Sequence, residues 1–164
     1  MRSIFPVFQA GKISIFIKIM SKKPKIRVIT LGLIQDKNRL FVSEGYDAVK
    51  KQAFYRPLGG GLDFGETSFD ALKREFQEEV NAELTNIHYL GCVENIFIYN
   101  GKPGHEIIQL YRCDFSESKF YQIDSIPFFE GKREGKALWV EIDQLTSGEL
   151  VLVPQKLLEF IQKC

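Results

Sequence analysis

GGLDFGETSFDALKREFQEEVNA, residues 60–82, decides how this chain is read. A Gly-rich turn runs straight into a short helix loaded with carboxylates. Glu75, Glu78 and Glu79 lie three and four apart, and at about 100° per residue they share one helical face. Like charges at that spacing repel by about 0.2–0.5 kcal/mol per pair. A helix that gathers them either shows them to bulk water or holds a cation, and hard divalent ions take oxygen ligands of this kind. On the other side Phe69, Leu72, Phe76 and Val80 recur at helical spacing, so the spacing predicts an apolar stripe docked on a core. Thr67 with Asp70 three residues on fits a capping box at the start. Asn81 suits the left-handed turn that closes a helix. Arg74, four residues before Glu78, is positioned to pair with it.

An acidic outer face is by itself an ordinary solvated surface. The preceding loop shifts the balance. Gly59, Gly60, Gly61 and Gly65 fall within seven residues, after the extended run Phe54-Tyr55-Arg56-Pro57-Leu58. Glycines this close together let backbone groups approach a ligand. A strand, a tight turn and an acidic helix together describe a site.

Gly60, Glu66 and the run Arg74-Glu75-Phe76-Gln77-Glu78-Glu79-Val80-Asn81-Ala82 resemble the Nudix box, G-x5-E-x7-R-E-U-x-E-E-x-G-U with U a bulky apolar residue. Asn81 stands where that pattern has Gly, and Ala82 is small for a U position. Asn is the best substitute for Gly in a helix-ending turn. The resemblance extends, in the order of strands and helices, over Arg27 to Phe160. It implies an α/β chain with a Nudix-like α/β/α sandwich around a mixed, curved β-sheet. It also implies Mg²⁺ or Mn²⁺ as cofactor and a nucleoside diphosphate derivative as substrate, cleaved at its pyrophosphate linkage. By position, Glu78 and Glu79 would be the principal metal ligands, and Glu75 a further ligand or the group that orients the attacking water. The Gly60 carbonyl would complete the ligand set, while Glu66 and Arg74 would brace loop and helix. Two other outcomes stay open: a Nudix-like nucleotide-binding or regulatory domain without hydrolysis, and isomerisation of an isoprenyl diphosphate. The second needs extra acid/base residues that the sequence does not identify.

The chemistry stands independently of the family. A pyrophosphate linkage repels hydroxide, whereas a metal ion neutralises its charge, lowers the pKa of bound water and aligns it for in-line attack.

With 164 residues, 45% of them hydrophobic, the chain has the size and composition of one packed domain. Residues 1–25 read as an N-terminal extension and 26–164 as the domain. The balance of 22 basic against 21 acidic residues argues against an extended nucleic-acid footprint, but suits a small nucleotide. Oligomeric state is open between monomer and homodimer. Cys92, Cys113 and Cys164 match neither a zinc pattern nor a disulfide framework. Cys92 and Cys113 are expected in the core, and reduced thiols point to the cytoplasm. No stretch approaches the roughly 18 apolar residues of a membrane span. Ile13 to Ile19 alternates as an added edge strand would, and Met20 is a rival start.

Along the chain, Arg27 to Gln35 and Arg39 to Glu44 predict a hairpin across Asp36-Lys37-Asn38. Gly45 to Gln52 reads as a polar connection. Leu84 to Tyr99 and Glu106 to Phe115 read as strands joined at Asn100-Gly101, a strong hairpin signal, with a break near Gly91. Ser116 to Lys136 reads as an irregular aromatic segment, a lid or dimer contact. Ala137 to Ile142 reads as a strand and Pro154 to Lys163 as a terminal helix.

Further candidates lie outside the box. Glu134, five residues before Trp139, stands where the family resemblance implies a further metal ligand or base, with Glu130 as its rival. Arg56 either grips a phosphate or pairs with a neighbouring acid. Phe97 and Tyr99 either stack on a base or pack the sheet. His105, which opens a strand just after the hairpin turn, is a candidate substrate contact.

Overall fold

The computed structural model describes residues 24–131 and 133–161. The N-terminal edge strand and the Met20 start fall outside the described residues. Among the described residues eight strands form two ladders. The first has the order β1-β6-β5, from β1 (Arg27–Leu33), β6 (Lys102–Phe115) and β5 (Leu84–Tyr99). The second runs β2-β3-β8-β7, from β2 (Gln35–Asp36), β3 (Arg39–Asp47), β8 (Arg133–Glu141) and β7 (Ser125–Glu130), with β4 (Gln52–Arg56) also paired to β3. β1 is parallel to β6 and the other pairs are antiparallel, so the sheet is mixed.

Alternation divides the strand residues between two cores. Ile29, Leu31, Leu40, Val42, Ile108 and Leu110 belong to one, which the short helix α2 (Ile142–Thr146) and a 3₁₀ turn (Gln155–Phe160) also enter through Leu145 and Leu157. Phe41, Cys113, Phe115 and Trp139 belong to the other, closed by helix α1 (Ser68–Val80) through Leu72, Phe76 and Val80. Gly32 lets the helix come close: a Cβ there would lie 3.0 Å from the Phe76 ring. No described helix is long and apolar enough to cross a membrane.

The capping of α1 matches the sequence. The Asp70 N–H donates to Thr67 Oγ1 (3.1 Å) and the Thr67 hydroxyl donates back to the Asp70 carboxylate (2.6 Å). Asn81 is left-handed, with φ 51°. Asn100 and Gly101 both have positive φ, 49° and 73°, as a type I′ hairpin turn requires.

Several expectations are corrected. Phe69 is 42% exposed and meets the Tyr111 ring at the margin of the helix contact, whereas Ala71 and Glu79 are buried. The buried stripe is therefore rotated towards the acidic side. Ser116 to Lys136 is ordered chiefly as strand: a 3₁₀ turn over Ser118–Tyr121, then β7 and the first part of β8. Of its four aromatics, Phe120 and Phe128 are core residues, Tyr121 is partly buried and Phe129 is exposed. Gly45 to Gln52 is shorter as a connection, because β3 continues to Asp47 and β4 starts at Gln52. Leu84 to Tyr99 is one strand, and the break at Gly91 is a register shift against β6. The terminal α-helix is a 3₁₀ turn. Cys113 is buried, but Cys92 is exposed on β5.

Candidate active site

The glycine loop is stitched to the free edge of β1. The Thr30 N–H donates to the Gly60 carbonyl (2.8 Å), Gly32 to Leu58 (3.0 Å) and Leu62 to Val28 (3.2 Å). This pairing holds the loop against α1 with little room between them. A Cβ on Gly60 would lie 2.4 Å from the Glu75 carboxylate, so any larger residue there displaces that side chain. The Gly59 N–H donates to Glu79 Oε2 (3.2 Å). The Gly60 oxygen keeps a second lone pair beyond its bond to Thr30.

Arg74 organises the outer part. Its Nε and Nη2 donate to the two oxygens of Glu66, both at 2.9 Å. Nη2 also reaches the Gly61 carbonyl (3.0 Å). Nη1 is shared between Glu75 (3.0 Å) and Glu78 (3.2 Å). The hydrogen bonds from Arg74 hold the Glu66 carboxyl below its ordinary range, and the carboxylates in turn hold Arg74 protonated.

Glu79 lies deeper, 3% exposed. Burial, followed by the charge of Glu75, pushes its pKa up to about 9. Burial likewise raises Glu75, against the pull of Arg74. Glu130 adds a further negative charge near Glu79. Among the described residues no three His, Cys, Asp or Glu side chains converge as a ready-made metal cluster. Glu75 and Glu78 share the Arg74 cation, and Glu79 turns inward to Gly59. The donor chemistry nonetheless suits a hard divalent ion: carboxylate and carbonyl oxygens lie along one loop and helix, and the innermost carboxylate is buried beside like charge with one backbone N–H as partner.

Glu79 opens onto a cavity of about 430 Å³ between the ends of the two ladders. Its far end is aromatic. Phe54 lies over Gly45, directly opposite across β3 and β4, and Phe97 lies over Gly104, directly opposite across β5 and β6. A Cβ would come within 2.3 Å of the first ring and 2.4 Å of the second. Two flat rings are thus each seated on a glycine. Tyr99 meets Phe54 edge-on, with centroids 5.6 Å apart. Arg56 lines the cavity between the aromatic and acidic ends and donates to the buried Glu106 (3.2 Å).

Gly60, Glu66, Arg74, Glu75, Glu78 and Glu79 are therefore brought together, and Arg56, Phe97 and Tyr99 line the adjoining cavity. Glu134 and His105 are not brought there. Glu134 stands opposite Phe129 in the β7–β8 register, whereas the cavity-lining face carries Phe128, Gly135 and Glu130. Glu130, the rival, lines the cavity. His105 lies on the face of β6 opposite Glu106 and bonds Glu94 (2.8 Å). Sequence reasoning passed over Gly45, Phe54, Asn95 and Gly104. A glycine directly across a hairpin from an aromatic was the available signal, and it needs a register to be visible.

Comparison with known proteins bears on the family and the fold. A family model described as the NUDIX domain matches residues 23–162. A NUDIX hydrolase from Nitrosomonas europaea superposes with TM-score 0.53 at 16% identity, over 76% of this chain and 78% of that one. A mutator MutT protein from Bacillus halodurans gives 0.56 at 16%, over 80% and 77%. A MutT NUDIX hydrolase from Burkholderia pseudomallei gives 0.54 at 22%, over 73% and 85%. These likenesses establish the fold. No curated protein matches the sequence at a significant level.

Proposed function

The chain belongs to the Nudix family, and from that premise we propose that it hydrolyses the pyrophosphate linkage of a nucleoside diphosphate derivative with the help of Mg²⁺ or Mn²⁺. Substrates of the nucleotide-sugar, ADP-ribose and nucleoside triphosphate types all fit this description. The observation that carries the proposal is the run of the cavity from the buried Glu79 to the glycine-backed rings of Phe54 and Phe97. It joins an acidic end suited to a cation with an aromatic end suited to a base.

The residues divide the work. Glu79, Glu78, Glu75 and the Gly60 carbonyl would hold the ion, with Glu130 a further candidate at the cavity wall. The ion supplies charge neutralisation and an activated water. Arg74 and Glu66 keep loop and helix in register, so the carboxylates do not spread under their own repulsion. Phe97 and Tyr99 flank the base, and Arg56 faces the phosphates. Glu134 remains a candidate ligand only if β8 is remodelled around a substrate, and His105 only if the β5–β6 hairpin bends inward.

The proposed domain runs over residues 26–164 as monomer or homodimer, with a small nucleotide as its partner. Cys92 and Cys113 are free thiols, which supports a reducing compartment such as the cytoplasm. A panel of nucleotide sugars, ADP-ribose, nucleoside triphosphates and dinucleoside polyphosphates, with Mg²⁺ or Mn²⁺ and phosphate release as readout, tests the proposal. Turnover of at least one compound is expected. Nucleotide binding without turnover would leave the second reading, a regulatory domain; the sharing of Arg74 between Glu75 and Glu78 favours it, because that pairing competes with metal ligation.

A further inference from the structure

Glu106 is 2% exposed and holds two arginines from different ladders. Its Oε2 accepts Arg56 Nη2 (3.2 Å) from β4, and its Oε1 lies 3.5 Å from Arg27 Nη1 of β1. Arg27 pairs with Glu106 directly across the β1–β6 register, while Arg56 reaches it from the opposing ladder. All three line the cavity.

Two features are not those of a closed structural ion pair. One carboxylate faces two guanidiniums, so the wall carries an excess positive charge. Arg56 is also incompletely satisfied: its buried Nε has no acceptor. A planar guanidinium presents its donors as a fixed fork, and leaving one of them buried and unmatched is costly. The acidic group Glu79 and Glu130 lines the same cavity. The lining thus combines carboxylates with guanidiniums, the two kinds of group that a metal-bound diphosphate would need.

We propose that Arg56, with Arg27 behind it, is the contact for the phosphoryl group distal to the metal, and that Glu106 is a positioning residue that acts through Arg56. Glu106 fixes the plane of the Arg56 fork and shares its charge with Arg27, so the pair remains net positive towards the substrate. This inference rests on the hydrolytic reading for its substrate class, but its test does not depend on turnover.

Inorganic pyrophosphate in EDTA is the probe, titrated calorimetrically into the full chain, Glu106→Gln, Arg56→Ala and the double variant. Each single variant is expected to weaken binding about tenfold. The double variant is expected to fall within about twofold of Arg56→Ala, because the two residues act as one unit. In turnover assays of the best panel substrate, the loss in Glu106→Gln appears in KM more than in kcat. Glu106→Asp recovers part of it. If Glu106→Gln does not fold, Glu106→Asp is titrated in its place, with about fivefold weakening expected. Binding by the Glu106 variant within twofold of the parent, losses that multiply in the double variant, or a parent that does not bind pyrophosphate would each overturn the proposal. Hydrolysis by the parent alongside unchanged binding in Glu106→Gln removes this inference alone. Shared loss of binding without any hydrolysis by the parent removes the function proposed above and leaves this one standing.

Discussion

Arg74 and Glu66, eight residues apart, face each other through two parallel hydrogen bonds of 2.9 Å, from Nε and Nη2 to the two carboxylate oxygens. The same guanidinium reaches the Gly61 carbonyl and the carboxylates of Glu75 and Glu78. Loop and helix are thereby held to one another by a single planar group. Lys offers a point charge without the fork. Arg74→Lys is expected to lower both the melting temperature and kcat, the latter by about tenfold, and its crystal structure should show Glu66 released from the helix. Unchanged kcat would show that the fork is dispensable.

Glu79→Gln removes a proposed ligand while keeping its shape. The side chain is protonated in the metal-free protein near neutral pH, with its pKa at about 9, so the amide substitutes with little effect on folding. Melting in EDTA is expected to stay within a few degrees of the parent. Turnover is expected to drop on the order of 100-fold or more; activity within a few-fold would remove Glu79 from the ligand set.

The raised pKa of Glu79 has a definite sign. Protonation is favoured in the folded state, so the associated stability is fully present below pH 4.5 and is lost as pH rises through about 9. The metal-free protein should therefore melt at progressively lower temperature from pH 5 to 9. Metal binding must displace that proton. Mg²⁺ affinity is expected to rise by up to about tenfold per pH unit between 6 and 8, with close to one proton released per ion. Calorimetry in buffers of different ionisation enthalpy counts it, and zero protons released would contradict the assignment.

Gly60→Ala brings a Cβ to 2.4 Å from the Glu75 carboxylate. Backbone on one side is held by Thr30, so the side chain has to move. A cost of about 1–3 kcal/mol and loss of most activity are expected, read by chemical denaturation and kcat. A crystal structure with Glu75 unmoved would count against the close approach.

Phe97→Ala removes one glycine-backed ring from the cavity. Stacking on a base contributes about 1–3 kcal/mol, so KM for a nucleotide substrate should rise at least about fivefold with metal affinity unaltered. An unaltered KM would place the base elsewhere.

The helix and its caps were legible in the sequence because they depend on neighbours three and four residues away. Thr67, Asp70, Asn81 and the spacing of Glu75, Glu78 and Glu79 all belong to that range. The hairpin at Asn100-Gly101 was legible because two consecutive residues carry the turn. Phe69 misled because helical periodicity marks a face without fixing how far the sheet wraps around it; the contact closes over Ala71 and Glu79 instead. Glu134 lies off the cavity lining because a shift of one residue along a strand reverses the face, and the parity of β8 is set by its pairing with β3 and β7. Ser116 to Lys136 reads as loop in the sequence because its charged residues hide the alternation that puts Phe128 inside.

Local spacing along residues 60–82 was enough to determine an acidic helix behind a glycine turn, since every contact involved lies within a few turns of chain. Packing of the two ladders decided that Glu79 is buried, that Glu130 faces the cavity and that Glu106 holds Arg27 as well as Arg56, the latter 50 residues away in sequence. Those meetings depend on strand register and inter-ladder distance, which arise from filling the common core and leave no periodic trace in the residues that meet.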